Sequence, residues 1–192
     1  MIAFDSVSRE EMEAMCTPMH CILSPTPAST PPTKSTAEPG ATGALYIGSM
    51  AAVHDLDLLR DNNITHLVQV LEVPWMPESG PSAEFSCYRI DIEDAAGATL
   101  QPHLAAACDY ILGALRSGEN VLVHCQQGVS RSASIVIAYL IRERSMTYDA
   151  AFTLVKQRRR CIKPNAGFVK TLREWETACS STSTRMPRSA SR

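Results

Sequence analysis

The chain has 192 residues, 45% of them hydrophobic and 20% charged, which is the balance of one folded domain with tails. Its formal net charge of −2 argues against partners held by overall charge, so we expect neither nucleic-acid nor membrane binding. No apolar run approaches the roughly 18 residues that span a bilayer, and residues 1–15 do not resemble a secretory leader. With seven cysteines, these features predict a reducing compartment without structural disulfides, namely the cytosol and also the nucleus.

Composition divides the chain into three regions. Residues 24–40 are rich in proline, serine and threonine and offer almost nothing to bury, so we expect 1–41 to be a disordered tail. Residues 181–192 are a second polar stretch, which we also expect to be disordered. The folded domain is therefore predicted at residues 42–180.

Within that domain, short β-branched runs alternate with segments of helical periodicity. The predicted strands are 45–47, 66–71, 88–92 and 121–124. The predicted helices are 56–63, 104–115, 135–144, 147–160, with Thr147 as a cap, and one after Pro164. This alternation predicts an α/β fold with a mainly parallel central sheet flanked by helices. Ligands of such sheets bind at the carboxyl ends of the strands.

The most informative segment is 121–135, where a predicted buried strand ends at His124-Cys125 and an apolar helix begins near Arg131. A loop that enters a helix N-terminus directs several backbone N–H groups at one point, and the helix dipole adds positive potential there. Gly128 permits a backbone angle that a side chain would disfavour. The guanidinium of Arg131 can hold two oxygens of one phosphate. The segment therefore predicts an anion-binding loop.

The same loop should activate Cys125, because its backbone donors and Arg131 favour the thiolate over the thiol. We expect His124 to orient the loop and support the thiolate by hydrogen bonds, and Ser132 to donate its hydroxyl to the sulfur. A cysteine at a strand end is most often a small core residue, but the spacing to glycine, arginine and serine favours a nucleophile. The predicted substrate-binding residues are Gln126, Gln127, Gly128, Val129, Ser130 and Arg131.

The active-site motif of dual-specificity protein phosphatases resembles one segment of this chain, His124-Cys125-x-x-Gly128-x-Ser130-Arg131-Ser132. The similarity extends over about residues 44–175, through LYIG at 45–48, RIDIED at 89–94 and the supporting loop PNAGF at 164–168. The resemblance implies a small catalytic domain of this family that requires neither metal nor cofactor. It also implies a two-step hydrolysis, in which Cys125 attacks phosphorus and Asp94 acts first as acid and then as base.

Three acidic side chains compete for the role of the general acid. Asp91 falls in the predicted strand 88–92, whereas Asp94 follows it in a loop loosened by small residues, and Glu93 lies between them. If that strand is parallel to 121–124, its carboxyl end opens at the same edge as Cys125. We therefore predict that Asp94 transfers the proton.

The substrate is expected to be a phosphoprotein, of which a kinase is one candidate, carrying phosphotyrosine and phosphoserine or phosphothreonine. The alternatives are a phosphatase of RNA 5′-phosphate, phosphoinositide or phosphoglycan, and a non-catalytic phospho-binding module.

Two weaker features of the sequence each allow two interpretations. The basic run 158–160 suits a solvated helix end or a second anionic group of the substrate, and Cys87 is a buried strand cysteine or a redox partner of Cys125.

Overall fold

The computed structural model describes residues 8–26, 42–72 and 84–183. Within these ranges the strands are β1 (Met19–Leu23), β2 (Leu45–Gly48), β3 (Ile64–Val70), β4 (Ser86–Ile90) and β5 (Asn120–His124). The helices are α1 (Arg9–Cys16), α2 (Met50–His54), α3 (Leu56–Asp61), α4 (Gln101–Arg116), α5 (Arg131–Glu143), α6 (Tyr148–Arg158) and α7 (Ala166–Ser183).

The strands form one sheet in the order β1-β2-β5-β3-β4. The pairs β2–β5, β5–β3 and β3–β4 are parallel, and only the edge strand β1 is antiparallel to its neighbour β2. The predicted α/β fold with a mainly parallel sheet and flanking helices is therefore confirmed. Because β4 and β5 both run parallel to β3, their carboxyl ends open at the same edge of the sheet.

Helix α5 is the central helix of the fold, as its apolar sequence predicted. Ten consecutive residues, 132–141, are buried on all sides of the helix. It packs against the sheet and against α4, α6 and α7. A helix enclosed in this way is held by contacts around its whole circumference, so its first turn, which carries Arg131 and Ser132, has a fixed position at the end of β5.

Two local predictions compare directly with the structure. Thr147 is the N-cap of α6, where its hydroxyl accepts a hydrogen bond from the Ala150 amide at 3.2 Å, as expected. Strand β4 ends at Ile90 and not at residue 92. Asp91 is therefore beyond the strand, and its placement within it was wrong. The reason is that β4 is the edge strand and its neighbour β3 ends at Val70, opposite Ile90, so Asp91 has no residue to pair with among the described strands.

The expectation of disorder over the whole of 1–41 was wrong for the segment that forms α1 and β1. Helix α1 begins with a capping box, in which Ser8 accepts from the Glu11 amide and the Glu11 side chain accepts from the Ser8 amide. Strand β1 pairs with β2 and buries Met19 and Ile22. Five residues with no clean alternation do not predict a strand, and the pairing that stabilises β1 is with residues more than 20 positions later.

The other boundary predictions are tested only in part. Residues 27–41, in which most of the proline-rich stretch falls, lie outside the described residues, as do 1–7 and 184–192. Helix α7 continues to Ser183, three residues past the predicted end of the domain. The helices in the described part of the chain are all too short or too polar to cross a bilayer.

Candidate active site

The loop between β5 and α5 curls around the sulfur of Cys125. Its carbonyl groups are held from outside the loop: Met50 N donates to the Gln126 oxygen, Lys163 N donates to the Val129 oxygen, and Arg159 donates to the oxygens of Gln127 and Gly128. Carbonyls fixed outward turn the intervening amides inward. The Gly128 amide accordingly donates to Cys125 Sγ at 3.2 Å. The loop therefore has the geometry of an anion-binding loop.

Gly128 is required at its position for two reasons. Its φ of +70° lies in the left-handed region that side chains disfavour. A Cβ atom there would come within 2.6 Å of the Gly48 carbonyl oxygen and 2.8 Å of Arg159 Nη2. Any larger residue would push the loop away from the strand beneath it.

Cys125 is buried at the bottom of this loop, with 2% of its surface exposed. Its Sγ lies 3.3 Å from Ser132 Oγ, in the first turn of α5. The structure thus brings together the cysteine and the hydroxyl that the spacing predicted, and the Gly128 amide and the Ser132 hydroxyl both contact one sulfur.

Arg131 extends from the start of α5 along the same edge. Its Nη1 donates to the Ile92 carbonyl at 3.3 Å, and its buried Nε has no hydrogen-bond partner among the described residues. Its side chain is 14% exposed. A buried guanidinium N–H without an acceptor is rare in folded proteins and is suited to a polar ligand.

Asp94 lies across from Arg131, with Oδ2 3.8 Å from Arg131 Nε. Its other oxygen, Oδ1, accepts hydrogen bonds from Ser130 Oγ at 2.6 Å and Asn165 Nδ2 at 2.9 Å. The structure therefore brings Asp94 to the loop. Glu93 and Asp91 are exposed, and Asp91 is turned toward Arg89.

Asn165 and Gly167 belong to the site although they were absent from the predicted site residues. Asn165 donates from its side chain to Asp94 and from its backbone to Ser130 Oγ, so it joins the acid to the loop. Gly167 packs so closely that a Cβ atom would lie 2.0 Å from the Ala96 carbonyl oxygen, just beyond Asp94. The PNAGF segment at 164–168 carried this signal, but only as a supporting loop.

His124 does not have the contacts that we expected. The ring is completely buried, and neither of its nitrogens has a hydrogen-bond partner in the described parts of the chain. Burial lowers the pKa of His124 to about 4, an effect that the adjoining Cys125 backbone opposes only in part. The imidazole is therefore neutral near pH 7. The expected hydrogen bonds from His124 to the sulfur are therefore absent among the described residues.

Comparison with known proteins agrees with this geometry. The family model described as "Dual specificity phosphatase, catalytic domain" matches residues 45–178, most of the chain. The chain belongs to the dual specificity phosphatase family. It is 39% identical over 130 residues to dual specificity protein phosphatase MPK-4 of Drosophila melanogaster, a match that covers 67% of this chain and 33% of that protein.

Two further relatives of this dual specificity phosphatase are closer to it in length. Dual specificity protein phosphatase 1B of Arabidopsis thaliana is 37% identical over 134 residues, covering 69% of this chain and 77% of that one. The crystal structure of human DUSP28 superposes with a TM-score of 0.66 at 29% identity, covering 81% and 99% of the two chains. By contrast, the chain spans only about a third of the Drosophila protein and 27% of a rhodanese-containing relative from Dictyostelium discoideum.

Proposed function

We propose that this chain is a protein phosphatase that hydrolyses phosphotyrosine and phosphoserine or phosphothreonine through a phosphocysteine intermediate. The observation that carries the proposal is the convergence of three groups at one loop. These are the Cys125 sulfur contacted by the Gly128 amide and the Ser132 hydroxyl, the Arg131 Nε without an acceptor in the described part of the chain, and the Asp94 carboxylate 3.8 Å from that nitrogen.

In the first step, the Cys125 thiolate forms a bond to phosphorus as the bond from phosphorus to the substrate oxygen breaks. Backbone amides of the loop, of which the Gly128 amide faces the sulfur, and the guanidinium of Arg131 stabilise the phosphoryl oxygens. Asp94 gives a proton to the departing oxygen. Its Oδ1 is held by Ser130 and Asn165, so Oδ2 is the oxygen that carries the transferred proton.

In the second step, water attacks phosphorus and the sulfur–phosphorus bond breaks. Asp94, now a carboxylate, takes the proton from the attacking water. Ser132 donates its hydroxyl to the sulfur as negative charge returns to it, a role that its 3.3 Å contact supports. Inorganic phosphate then leaves and the thiolate is restored.

The alternatives are less consistent with the residues at the loop. A non-catalytic phospho-binding module needs no general acid, yet Asp94 is held in place by two hydrogen bonds. A polyanionic lipid headgroup would favour cations within the loop, whereas Gln126 and Gln127 are neutral and exposed. These observations support a phosphoprotein substrate, with kinases among the candidates.

All seven cysteines are free, which supports a location in the cytosol or nucleus.

The test uses the full chain and peptides that carry phosphotyrosine, phosphoserine or phosphothreonine. We expect phosphate release from the wild type and none from Cys125→Ser, whose hydroxyl is not ionised at pH 7, with the same melting temperature in both. Substantial turnover by Cys125→Ser would refute the phosphocysteine route. Failure of the wild type on every peptide, with turnover of a phosphorylated lipid, RNA or glycan, would refute the protein substrate but not the chemistry.

A further inference from the structure

Arg159 is fully buried, although its neighbours Arg158 and Arg160 on either side are exposed. The expectation that the basic run is a solvated helix end therefore fails for its central residue. A buried guanidinium is costly unless its donors are satisfied, so the contacts of Arg159 indicate what its burial achieves.

Four of the five N–H donors of Arg159 are used, and they connect two parts of the chain. On one side, Nε donates to the Gly128 oxygen at 2.8 Å and Nη2 donates to the Gln127 oxygen at 3.0 Å. On the other side, Nη1 donates to the Thr17 oxygen and to His20 Nδ1, both at 2.9 Å. Arg159 therefore joins the phosphate-binding loop to β1 and the residues just before it.

His20 must be neutral to take part in this contact. A guanidinium has no acceptor, so Nδ1 of His20 accepts and the ring proton is on Nε2. Burial, and then the positive charge of Arg159, lower the pKa of His20, which agrees with a neutral ring. His20 thus accepts a hydrogen bond from Nη1 and orients that end of the guanidinium.

No carboxylate forms an ion pair with Arg159 in the ranges 8–26, 42–72 and 84–183. Carbonyl dipoles and the imidazole hold the charge in place without neutralising it. Burial lowers the pKa of Arg159, and the thiols of Cys161 and Cys125 oppose that effect. Arg159 contacts the loop that encloses Cys125, so a thiolate there would face a cation behind the loop as well as Arg131 in front.

We propose that Arg159 and His20 are positioning residues for the reaction, through which β1 holds the phosphate-binding loop in its anion-binding shape. This inference rests on the proposed function, because it concerns the same loop. Arg159 fixes the outward carbonyls of Gln127 and Gly128, so the Gly128 amide between them stays inward. His20 and Thr17 fix Arg159. The N-terminal segment, which was expected to be a disordered tail, is then part of the catalytic unit.

The experiment compares three variants with a matched control in the full chain. His20→Phe keeps a ring of similar size in the strand but removes the acceptor, whereas His20→Asn retains an acceptor near the position of Nδ1. Arg159→Lys keeps the charge but cannot reach both carbonyls. Arg158→Ala removes a charge from the same run at an exposed position and serves as the control. Two quantities are measured, kcat/KM on an aryl phosphate and the affinity for inorganic tungstate by calorimetry.

We expect His20→Phe and Arg159→Lys to lower both quantities by about tenfold or more, the effect of losing a hydrogen bond to a charged group. His20→Asn and Arg158→Ala should stay within about threefold of the wild type on the same scale. A lower melting temperature of His20→Phe with unchanged tungstate affinity would overturn the proposal, because a purely structural contact would give that result. Tungstate binding needs no turnover, so a wild type that binds tungstate but is inactive would count against the proposed function alone.

A second measurement keeps the proposal testable if His20→Phe does not fold. In the wild type at pH 7, the ¹⁵N chemical shift of His20 Nδ1 should be that of an unprotonated, accepting nitrogen. A proton on Nδ1 would overturn the proposal, since a protonated nitrogen cannot accept from Arg159.

Discussion

Two arginines flank the loop between β5 and α5, and their surroundings differ. Arg131 lies in front of the loop with its side chain 14% exposed, with a buried Nε that has no acceptor among the described residues, and opposite the carboxylate of Asp94. Arg159 lies behind the loop, fully buried, with four hydrogen bonds to fixed acceptors. The same side chain therefore keeps an unpaired donor among the described residues on one side of the loop, whereas on the other side four of its donors are satisfied.

This contrast teaches that the number of satisfied donors, rather than charge, separates a binding arginine from a positioning one. An arginine whose N–H donors are already bonded to carbonyls holds the loop and has few donors available for a substrate. The arginine that retains a buried free donor gains most when an oxyanion arrives. Substitutions in front of the loop should therefore affect the chemical step, and those behind it should act through the shape of the loop.

The largest effect in front of the loop, apart from loss of Cys125, is expected for Asp94→Asn. General acid catalysis contributes about 10²–10⁴-fold, so phenyl phosphate should be hydrolysed more slowly by a factor in that range. The loss should shrink for aryl phosphates with acidic leaving groups, which need no proton. Asp91→Asn and Glu93→Gln are the controls and should stay within a few-fold. A leaving-group dependence in Asp91→Asn instead would show that Asp91, and not Asp94, transfers the proton.

Arg131→Lys should lower kcat/KM by about 10²–10³-fold, the cost of losing one donor to a developing oxyanion. Lysine keeps the charge but cannot hold two oxygens at once. The comparison with Arg159→Lys sharpens the contrast, since the rear substitution is expected to cost less. Steady-state kinetics on one aryl phosphate measures both. If the rear variant were the more damaging, the division into a binding and a positioning arginine would be wrong.

Asn165→Ala should have a smaller effect, about tenfold, because it removes one hydrogen bond to the Asp94 carboxylate and leaves the other from Ser130. The loss should appear with alkyl or phenyl phosphates and shrink with activated aryl phosphates, as for Asp94→Asn. Lys163→Ala in the same loop is the control, since only its backbone contacts Val129. An equal loss on every leaving group would show that Asn165 supports the loop and not the acid.

The smallest effect on activity is expected for the protonation of His124, which should instead change the free energy of unfolding. The pKa of His124 is about 4 in the folded protein and about 6.5 when unfolded, so the unfolded state binds its proton first. The free energy of unfolding should therefore have its full value above pH 6.5. It should decrease as the pH is lowered, by about 2 kcal/mol at pH 5 and about 3 kcal/mol near pH 4.

Urea denaturation between pH 7 and pH 5 measures this slope, before most carboxylates titrate. His20, whose pKa is also lowered, contributes with the same sign. His124→Asn should flatten the slope although it destabilises the fold at every pH. A slope that His124→Asn leaves unchanged would show that another group is titrating.

Much of the fold could be predicted from the sequence because the parallel strands and their helices are continuous segments with a clear period. Strand β5, the loop from Cys125 to Arg131 and the beginning of helix α5 were all predicted from the segment 121–135. The position of the proposed general acid, Asp94, was harder to predict from the sequence. The end of β4 depends on where its neighbour β3 ends, at Val70, and Asp94 accepts a hydrogen bond from Asn165, which is 71 positions later in the chain.

The sequence by itself determined the local chemistry of this protein, namely the spacing of Cys125, Gly128, Arg131 and Ser132 at a junction of strand and helix. Local geometry is sufficient there, because a loop entering a helix N-terminus binds anions wherever it occurs. Only the tertiary structure decided which arginine is buried, why His124 has no hydrogen bond, and that β1 belongs to the sheet. Each of these depends on contacts between distant segments, whose free energies have no counterpart in the periodicity or composition of either segment alone.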